Sequence, residues 1–563
     1  MRRLILLITI CCLLLPPAPA LSQQENLSLE EIVGQLFMIT VSSTTLTQTD
    51  RDLIASTHPG GVVLFTHNVE TPQQITDLTN ALQEFATDNG PDIPLLIAID
   101  QESEQITRLH DGFTIFPSVL MLGATANRDD AKQAGYAMGQ ELAAVGINMN
   151  LAPVADLYYP GQATSRAEVL YRRTISSDPD LVGRLAGGMV IGMREAGVIG
   201  VLKHFPGHGA ATVDSHYNLP VVSLSQEEAE QGTLAAFKKA IASGDAPAVM
   251  IGHLYYPALD PGTPRPATLS PVMLGLLRRD LGFRGVAISD AMDMGAIWRN
   301  YTISNAAIQA INAGVDLIAF GPHLTAEQQR AVISAVVEAA RNGQISSARL
   351  DEAVSRLLAM REDYGLVDWT PLDVGQTEPR LNRDEHQELL IRLALDAVTV
   401  LDNPRGLLPI DGTHKKVALI YPSAYSDIAT ECARYTVDLE AVPYSYTPSP
   451  ADITSAVQAA NNADVSIVFV EDIGWNRGQY QLVWSLPLEK NVLVSLRSPY
   501  DRNDAPADMS TAVLTYSSIP AAQIAACQVI YGIAPARGTL PIPVGPYPVG
   551  TGVQYDSIYA VGG

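Results

Sequence analysis

The chain has 563 residues, of which 47% are hydrophobic, and a formal net charge of −24. That length exceeds one ordinary domain and suffices for two. The composition is that of a soluble globular protein, and so acidic a surface argues against nucleic acid or anionic lipid as partner while saying little about a neutral ligand.

Read from the N-terminus, Met1-Arg-Arg3 precedes an apolar run over 4–15 and then Pro16-Pro-Ala-Pro-Ala-Leu-Ser22. A basic start, a short apolar core and small residues near the end describe a secretory signal peptide over 1–22. The alternative is a membrane anchor, but a run of about 12 apolar residues is too short to span a bilayer. The expectation is a secreted or otherwise extracytoplasmic protein with no stable membrane insertion after cleavage. Cys11 and Cys12 leave with the signal, and the remaining cysteines are Cys432 and Cys527. An oxidising compartment allows that pair to bond, and two distant cysteines make no metal site.

From residue 28 to 370, short apolar runs alternate with amphipathic stretches. The runs are 36–41, 61–65, 95–100, 147–153, 198–204, 248–253, 286–290 and 315–320. Helical spacing of apolar residues fills 130–144, 181–196, 226–242 and 325–341, and Gly197, Gly244, Gly282, Gly314 and Gly343 follow helical stretches as C-terminal caps. Eight strands alternating with helices predict an α/β fold, a (β/α)8 TIM-like barrel. A doubly wound open sheet would want a glycine-rich phosphate loop after its first strand, and the sequence has none. A polar linker with proline and glycine follows over 371–383. Residues 384–563 open on a helix over 384–398 and continue with strand-like runs at 416–421, 465–470, 491–495 and 511–516. That pattern predicts a smaller α/β sandwich without a cluster of charged strand ends, in a packing or partial pocket-wall role.

Asp100, Lys203, His204, His253 and Asp290 stand at the C-terminal ends of predicted barrel strands. In a parallel barrel those ends share the face on which active sites are built, whereas buried strands otherwise read as Val/Ile/Leu runs. The segment 203–216, Lys-His-Phe-Pro-Gly-His-Gly-Ala-Ala-Thr-Val-Asp-Ser-His, gathers a lysine, three histidines and an aspartate among glycines. Asp214 beside His216 would fix the imidazole tautomer and raise its pKa, leaving the second nitrogen to donate a proton near neutral pH. Asp290 could attack an electrophilic carbon or stabilise a developing cation, or simply cap nearby N–H groups. His204, His208, Asp214 and His216 also contain zinc-ligand types. Their spacing fits no established pattern, and Lys203 would repel a cation, so neither metal nor cofactor is expected.

Residues 203–216 resemble the signature of the β-N-acetylhexosaminidase branch of glycoside hydrolase family 3, which runs Lys-His-Phe-Pro-Gly-His-Gly, four residues, then Asp-Ser-His. Val400-Leu-Asp-Asn403 and Gly538-Thr-Leu-Pro541 are similar, more weakly, to that family's C-terminal sandwich. The resemblance implies a retaining two-step hydrolysis of a glycan bearing N-acetylglucosamine, with Asp290 as nucleophile and His216, paired with Asp214, as acid and then base. Peptidoglycan fragments and chitin oligosaccharides are the expected substrates. It also implies that Asp100, Arg108, Arg173, Lys203 and His204 hold the sugar, and His253 is placed with them. The rivals are a β-glucosidase or β-xylosidase of the same superfamily, which generally takes its acid from the second domain, and a degenerate glycan-binding protein. The sequence leaves oligomeric state open. Where the family reads Asp-Gln-Glu-Gly-Gly-Arg-Val, this chain has Asp100-Gln-Glu-Ser-Glu-Gln-Ile106, while Asp100 and Arg108 keep their spacing. The turn must be reshaped, and a negative Glu104 is expected near the sugar site.

Overall fold

The computed structural model describes residues 26–160, 170, 172–211, 213–244, 246–509 and 511–558. The expected signal peptide over 1–22 lies outside the described residues. No helix among those described is long and apolar enough to cross a membrane.

Eight parallel strands form the first sheet: β1 (Phe37–Thr40), β2 (Gly61–Leu64), β3 (Leu96–Ile99), β4 (Met149–Asn150), β5 (Ile199–Phe205), β6 (Ala248–Ile251), β7 (Val286–Ser289) and β8 (Ile318–Ala319). Their order is β7-β6-β5-β4-β3-β2-β1-β8. A parallel bridge between Ile288 and Leu317 joins the two ends, with Ser289 N–H donating to the Leu317 carbonyl at 2.9 Å. The sheet is therefore the expected barrel. Every strand residue is buried, as a sheet covered by helices outside and packed side chains inside requires.

The outer helices start where the sequence supplies caps. Thr71 precedes Pro72–Asp88, and Asp178 precedes Pro179–Glu195, each followed by proline at the first helical position. Thr325 with Gln328 forms a capping box for Ala326–Arg341. Helices Arg128–Ala144 and Pro179–Glu195 pack closely because their contact is lined by glycine: a Cβ on Gly192 would stand 2.0 Å from the Lys132 carbonyl oxygen.

The second sheet has the order β11-β10-β12-β13-β14-β9. Its strands are β9 (Thr399–Asp402), β10 (Lys416–Pro422), β11 (Asp438–Tyr444), β12 (Val465–Val470), β13 (Asn491–Ser495) and β14 (Thr511–Leu514). All pair in parallel except β9, which is antiparallel to β14. Alternation divides the strands between two cores. Val417, Leu419, Ile467, Phe469, Val492 and Val494 face a cluster continuous with the barrel core. Ile420, Val468, Val470 and Leu493 face Ala456, Ala460, Leu482 and Val483 of the outer helices.

Two edge strands, β9 and β11, go beyond the four expected. β11 exposes Asp438 and partly exposes Glu440, so it presents no apolar run to the eye, and β9 follows directly on its helix, Asp384–Ala397. The expectation that this unit lacks charged strand ends is also corrected. Glu471 and Asp472 follow β12 and Arg497 follows β13, with Arg497 3.6 Å from Asp472 and Tyr425 donating to Glu471 at 2.7 Å. Cys432 and Cys527 form a disulfide with Cα atoms 5.1 Å apart. The two units are tied by buried polar contacts. Glu141 of the barrel accepts from the Asn382 backbone and pairs with His386 at 2.6 Å, and Ser177 N–H donates to the Pro541 carbonyl at 3.2 Å.

Candidate active site

The C-terminal ends of the barrel strands surround a cavity of about 780 Å³. Asp100, Arg108, Arg173, Lys203, His204, His208, Asp214, His216 and Asp290 all line it, and among the described residues every lining residue belongs to the barrel.

One wall is an ion network. Lys203, on β5, places Nζ 2.7 Å from Asp100 Oδ1 and 2.7 Å from Glu102 Oε1. Arg173 grips Glu102 with two nitrogens, Nε to Oε2 at 2.7 Å and Nη2 to Oε1 at 2.6 Å, and Arg108 lies 3.7 Å from Asp100. Burial by itself would raise the Glu102 carboxyl, but Arg173 and Lys203 override it and hold it far below the usual carboxylate range. Burial would likewise lower Lys203, and Asp100 with Glu102 keeps the ammonium raised. Glu102, Lys203 and Arg173 are thus held charged before any ligand arrives.

The hairpin carrying these carboxylates has solved its loss of glycine. Glu102 and Ser103 donate backbone N–H groups to the Ile106 carbonyl at 2.8 and 3.2 Å, and Gln101 Oε1 accepts from the Arg108 N–H at 2.9 Å. Glu104 does not approach the sugar site, contrary to the sequence expectation. Its backbone is held by the Phe116 carbonyl at 2.8 Å, and Oε2 accepts from Ser517 Oγ of the second unit at 2.6 Å. Burial there pushes its carboxyl up.

Asp156 is the residue that sequence reasoning missed most plainly. It is fully buried and stands beyond the short strand β4. Its Oδ2 meets His204 Nδ1 at 2.8 Å, and its Oδ1 accepts the His208 N–H at 2.6 Å. The ring of His208 in turn meets Ser215 Oγ at 3.1 Å. His208 therefore braces the base of the Asp214–His216 loop. Glu102 and Asp156 both stand just beyond a predicted strand run, Glu102 after 95–100 and Asp156 after 147–153, the one signal in sequence that could have found them.

His253 requires a correction. It does not line the cavity; it lies fully buried behind the strand ends with both ring nitrogens engaged, Nδ1 with Thr268 Oγ1 at 2.7 Å and Nε2 with the Ala291 carbonyl at 3.0 Å. Burial lowers its pKa. It supports the loop after β7 and has no donor left for a sugar.

On that loop, half-buried Asp290 accepts the Ala291 N–H at 2.8 Å on Oδ1. Burial would raise its carboxyl, but the fields of His253 and His204, the Ala291 N–H and His216 together hold it below the usual range. His216 Nδ1 meets Asp214 Oδ1 at 2.7 Å, and the same oxygen accepts the His216 N–H at 2.8 Å. That hydrogen bond, outweighing burial and joined by the charge of Asp290, raises the imidazole pKa. The His216 loop rests on the start of helix Gly295–Trp298, where Gly295 and Ala296 donate N–H groups to the carbonyls of His216 and Ser215 at 3.0 and 3.1 Å. The imidazoles of His204, His216 and His253 are each committed to a partner. Among the described residues, no group of three or more histidine, cysteine or carboxylate side chains is arranged to hold a metal ion.

A depressed carboxylate facing a carboxylate-backed imidazole across a cavity walled by paired charges is a site for nucleophilic and acid–base chemistry on a polar, neutral ligand. Residues 28–360 match the glycosyl hydrolase family 3 N-terminal domain, and the chain belongs to that family. It is 29% identical to beta-hexosaminidase A of Pseudoalteromonas piscicida over 94% of this chain and 99% of that protein. It is 36% identical to the beta-hexosaminidase of Nitrosomonas eutropha over 50% of this chain and 79% of the relative. Among solved structures, a family 3 beta-N-acetylglucosaminidase from Paenibacillus superposes with a TM-score of 0.78 at 32% identity, covering 92% of this chain and 99% of the other. The chain is a glycoside hydrolase.

Proposed function

We propose that the protein is an exported, retaining β-N-acetylhexosaminidase that removes terminal β-linked N-acetylglucosamine from chitin oligosaccharides or peptidoglycan fragments. The observation that carries this reading is the Asp214–His216 pair, 2.7 Å apart, lining one cavity with Asp290. Asp290 attacks the anomeric carbon while His216 protonates the departing glycosidic oxygen, giving a glycosyl ester and a free leaving group. His216, now neutral, takes a proton from water as that water attacks the same carbon, and Asp290 is released as a carboxylate. Asp100, Arg108, Arg173, Lys203 and His204 hold the sugar through hydrogen bonds to its oxygens. The rival β-glucosidase reading draws its acid from the second domain, whereas among the described residues the cavity here is lined by barrel residues alone. The relatives named as hexosaminidases favour the same choice.

Export is supported by the N-terminal pattern of residues 1–22 and by the Cys432–Cys527 disulfide, which suits an oxidising compartment. N-terminal sequencing of the exported protein tests it, with a start near residue 23 expected.

The activity is tested with aryl β-N-acetylglucosaminide and aryl β-glucoside, with and without chelator. Turnover of the first in preference to the second, indifferent to chelator, is expected. His216→Ala should lower kcat about 10²- to 10⁴-fold on a substrate with a poor leaving group. No turnover of the acetamido sugar by the native enzyme overturns the reading, and retained activity in Asp290→Ala removes the nucleophile.

A further inference from the structure

None of the four tryptophans is buried. Large indoles normally find cover in a folded protein, and an exposed one beside a cavity marks a contact surface. Trp298 is 52% exposed, Tyr217 is 65% exposed, and both line the active-site cavity. Their place relative to the chemistry is fixed by the backbone. Tyr217 directly follows His216, and Trp298 ends the short helix whose first N–H holds the His216 carbonyl. Both rings therefore flank the imidazole that delivers a proton to the departing oxygen. Phe65 and Met294 also line the cavity. The guanidinium of Arg299 lies 4.7 Å from the Trp298 ring centroid, which steadies the indole from one face.

Among the described residues, the arginines and lysine that line the cavity are on the other wall and are already paired, while Arg299 lies against Trp298 outside that lining. Arg108 meets Asp100, Arg173 meets Glu102, and Lys203 meets both carboxylates. The surrounding field is that of a chain of net charge −24, which opposes the approach of an anion. Resting on the function proposed above, we infer that Tyr217 and Trp298 form the leaving-group subsite and that its occupant is an uncharged pyranose. The C–H-rich face of such a ring packs on an aromatic surface. The enzyme thus acts on chito-oligosaccharides in preference to fragments whose leaving sugar carries an ether-linked lactate.

The test compares kcat/KM on three substrates: N,N′-diacetylchitobiose, the matching disaccharide with a lactyl carboxylate on its leaving sugar, and methyl β-N-acetylglucosaminide, whose leaving group has no ring. The native enzyme should favour chitobiose over the lactyl disaccharide, with the gap narrowing as salt rises. In Trp298→Ala and Tyr217→Ala the ratio of chitobiose to methyl glycoside turnover should fall about 3- to 10-fold each, and Trp298→Phe should restore most of it. Equal or faster turnover of the lactyl disaccharide overturns the neutral occupant, and an unmoved ratio in the alanine variants overturns the subsite. Failure of the native enzyme on both chitobiose and the methyl glycoside instead overturns the function on which the subsite rests.

Discussion

Gly295→Ala isolates the docking of the acid–base loop from everything else in the cavity. The glycine backbone is not in the left-handed region, and alanine adopts its conformation without strain. Its new Cβ, however, would stand 2.5 Å from the Tyr217 carbonyl oxygen and 2.6 Å from that of His216. These are backbone atoms, so the loop must retreat rather than a side chain turn aside. Retreat breaks the bonds from Gly295 to His216 and from Ala296 to Ser215. At about 1 kcal/mol each, about 2 kcal/mol of docking is lost, equivalent to about a 30-fold drop in the docking equilibrium constant. The kcat/KM of an alkyl or glycosyl substrate, whose departing oxygen needs a proton, should fall about 10- to 30-fold. A dinitrophenyl glycoside departs without a proton and should lose less than about threefold. Parallel assays of the two leaving groups, with a urea melt as control, read the difference. Equal losses on both substrates, or none on either, would refute the claim that this contact positions His216.

Other perturbations separate the remaining parts. Asp214→Ala removes the hydrogen bond that chiefly raises His216; because the protonated ring is the acid, activity is lost as pH rises through its pKa. The high-pH limb of kcat/KM should therefore move down toward the ordinary histidine value of about 6.5, while the low-pH limb, set by the depressed Asp290, stays in place. Glu102→Gln leaves Arg173 and Lys203 short of a buried countercharge, and urea unfolding should show a loss of about 3 to 5 kcal/mol together with a raised KM. Ser517→Ala strips the donor from Glu104 Oε2 and should cost about 1 to 3 kcal/mol; a KM rising more than kcat falls would show that the second unit steadies the sugar-binding hairpin. Cys432→Ser opens a bridge spanning 95 residues and should lower stability by about 2 to 5 kcal/mol in denaturant titration, leaving the turnover of folded enzyme unchanged.

The barrel was legible because each of its strands is buried on both faces and so reads as an apolar run, four of which end in a charged residue or an imidazole. The ends themselves were less legible. His253 and His204 look alike in sequence, yet one imidazole is shut behind the loop after β7 and the other faces the cavity. Asp156 went unnoticed because its work is done through a backbone N–H and a buried ring, neither of which leaves a spacing to read. Glu104 was assigned to the wrong neighbourhood because its partner, Ser517, is 413 residues away. β11 escaped for the opposite reason: an edge strand facing solvent can afford Asp438 and Glu440, and polar alternation without a bulky core face resembles a loop.

The disulfide has a consequence for resistance to proteolysis. It joins helix Asp427–Cys432 to helix Pro520–Ile530, on the side of the second sheet whose core continues into the barrel. Between them the chain runs through exposed segments such as 445–447, where a protease finds its easiest purchase. A cut there leaves two polypeptides joined through sulfur, with Ser517 and Pro541 still held behind the barrel. Such a nicked enzyme would run as one species on a non-reducing gel, as two on a reducing gel, and continue to turn over substrate in between.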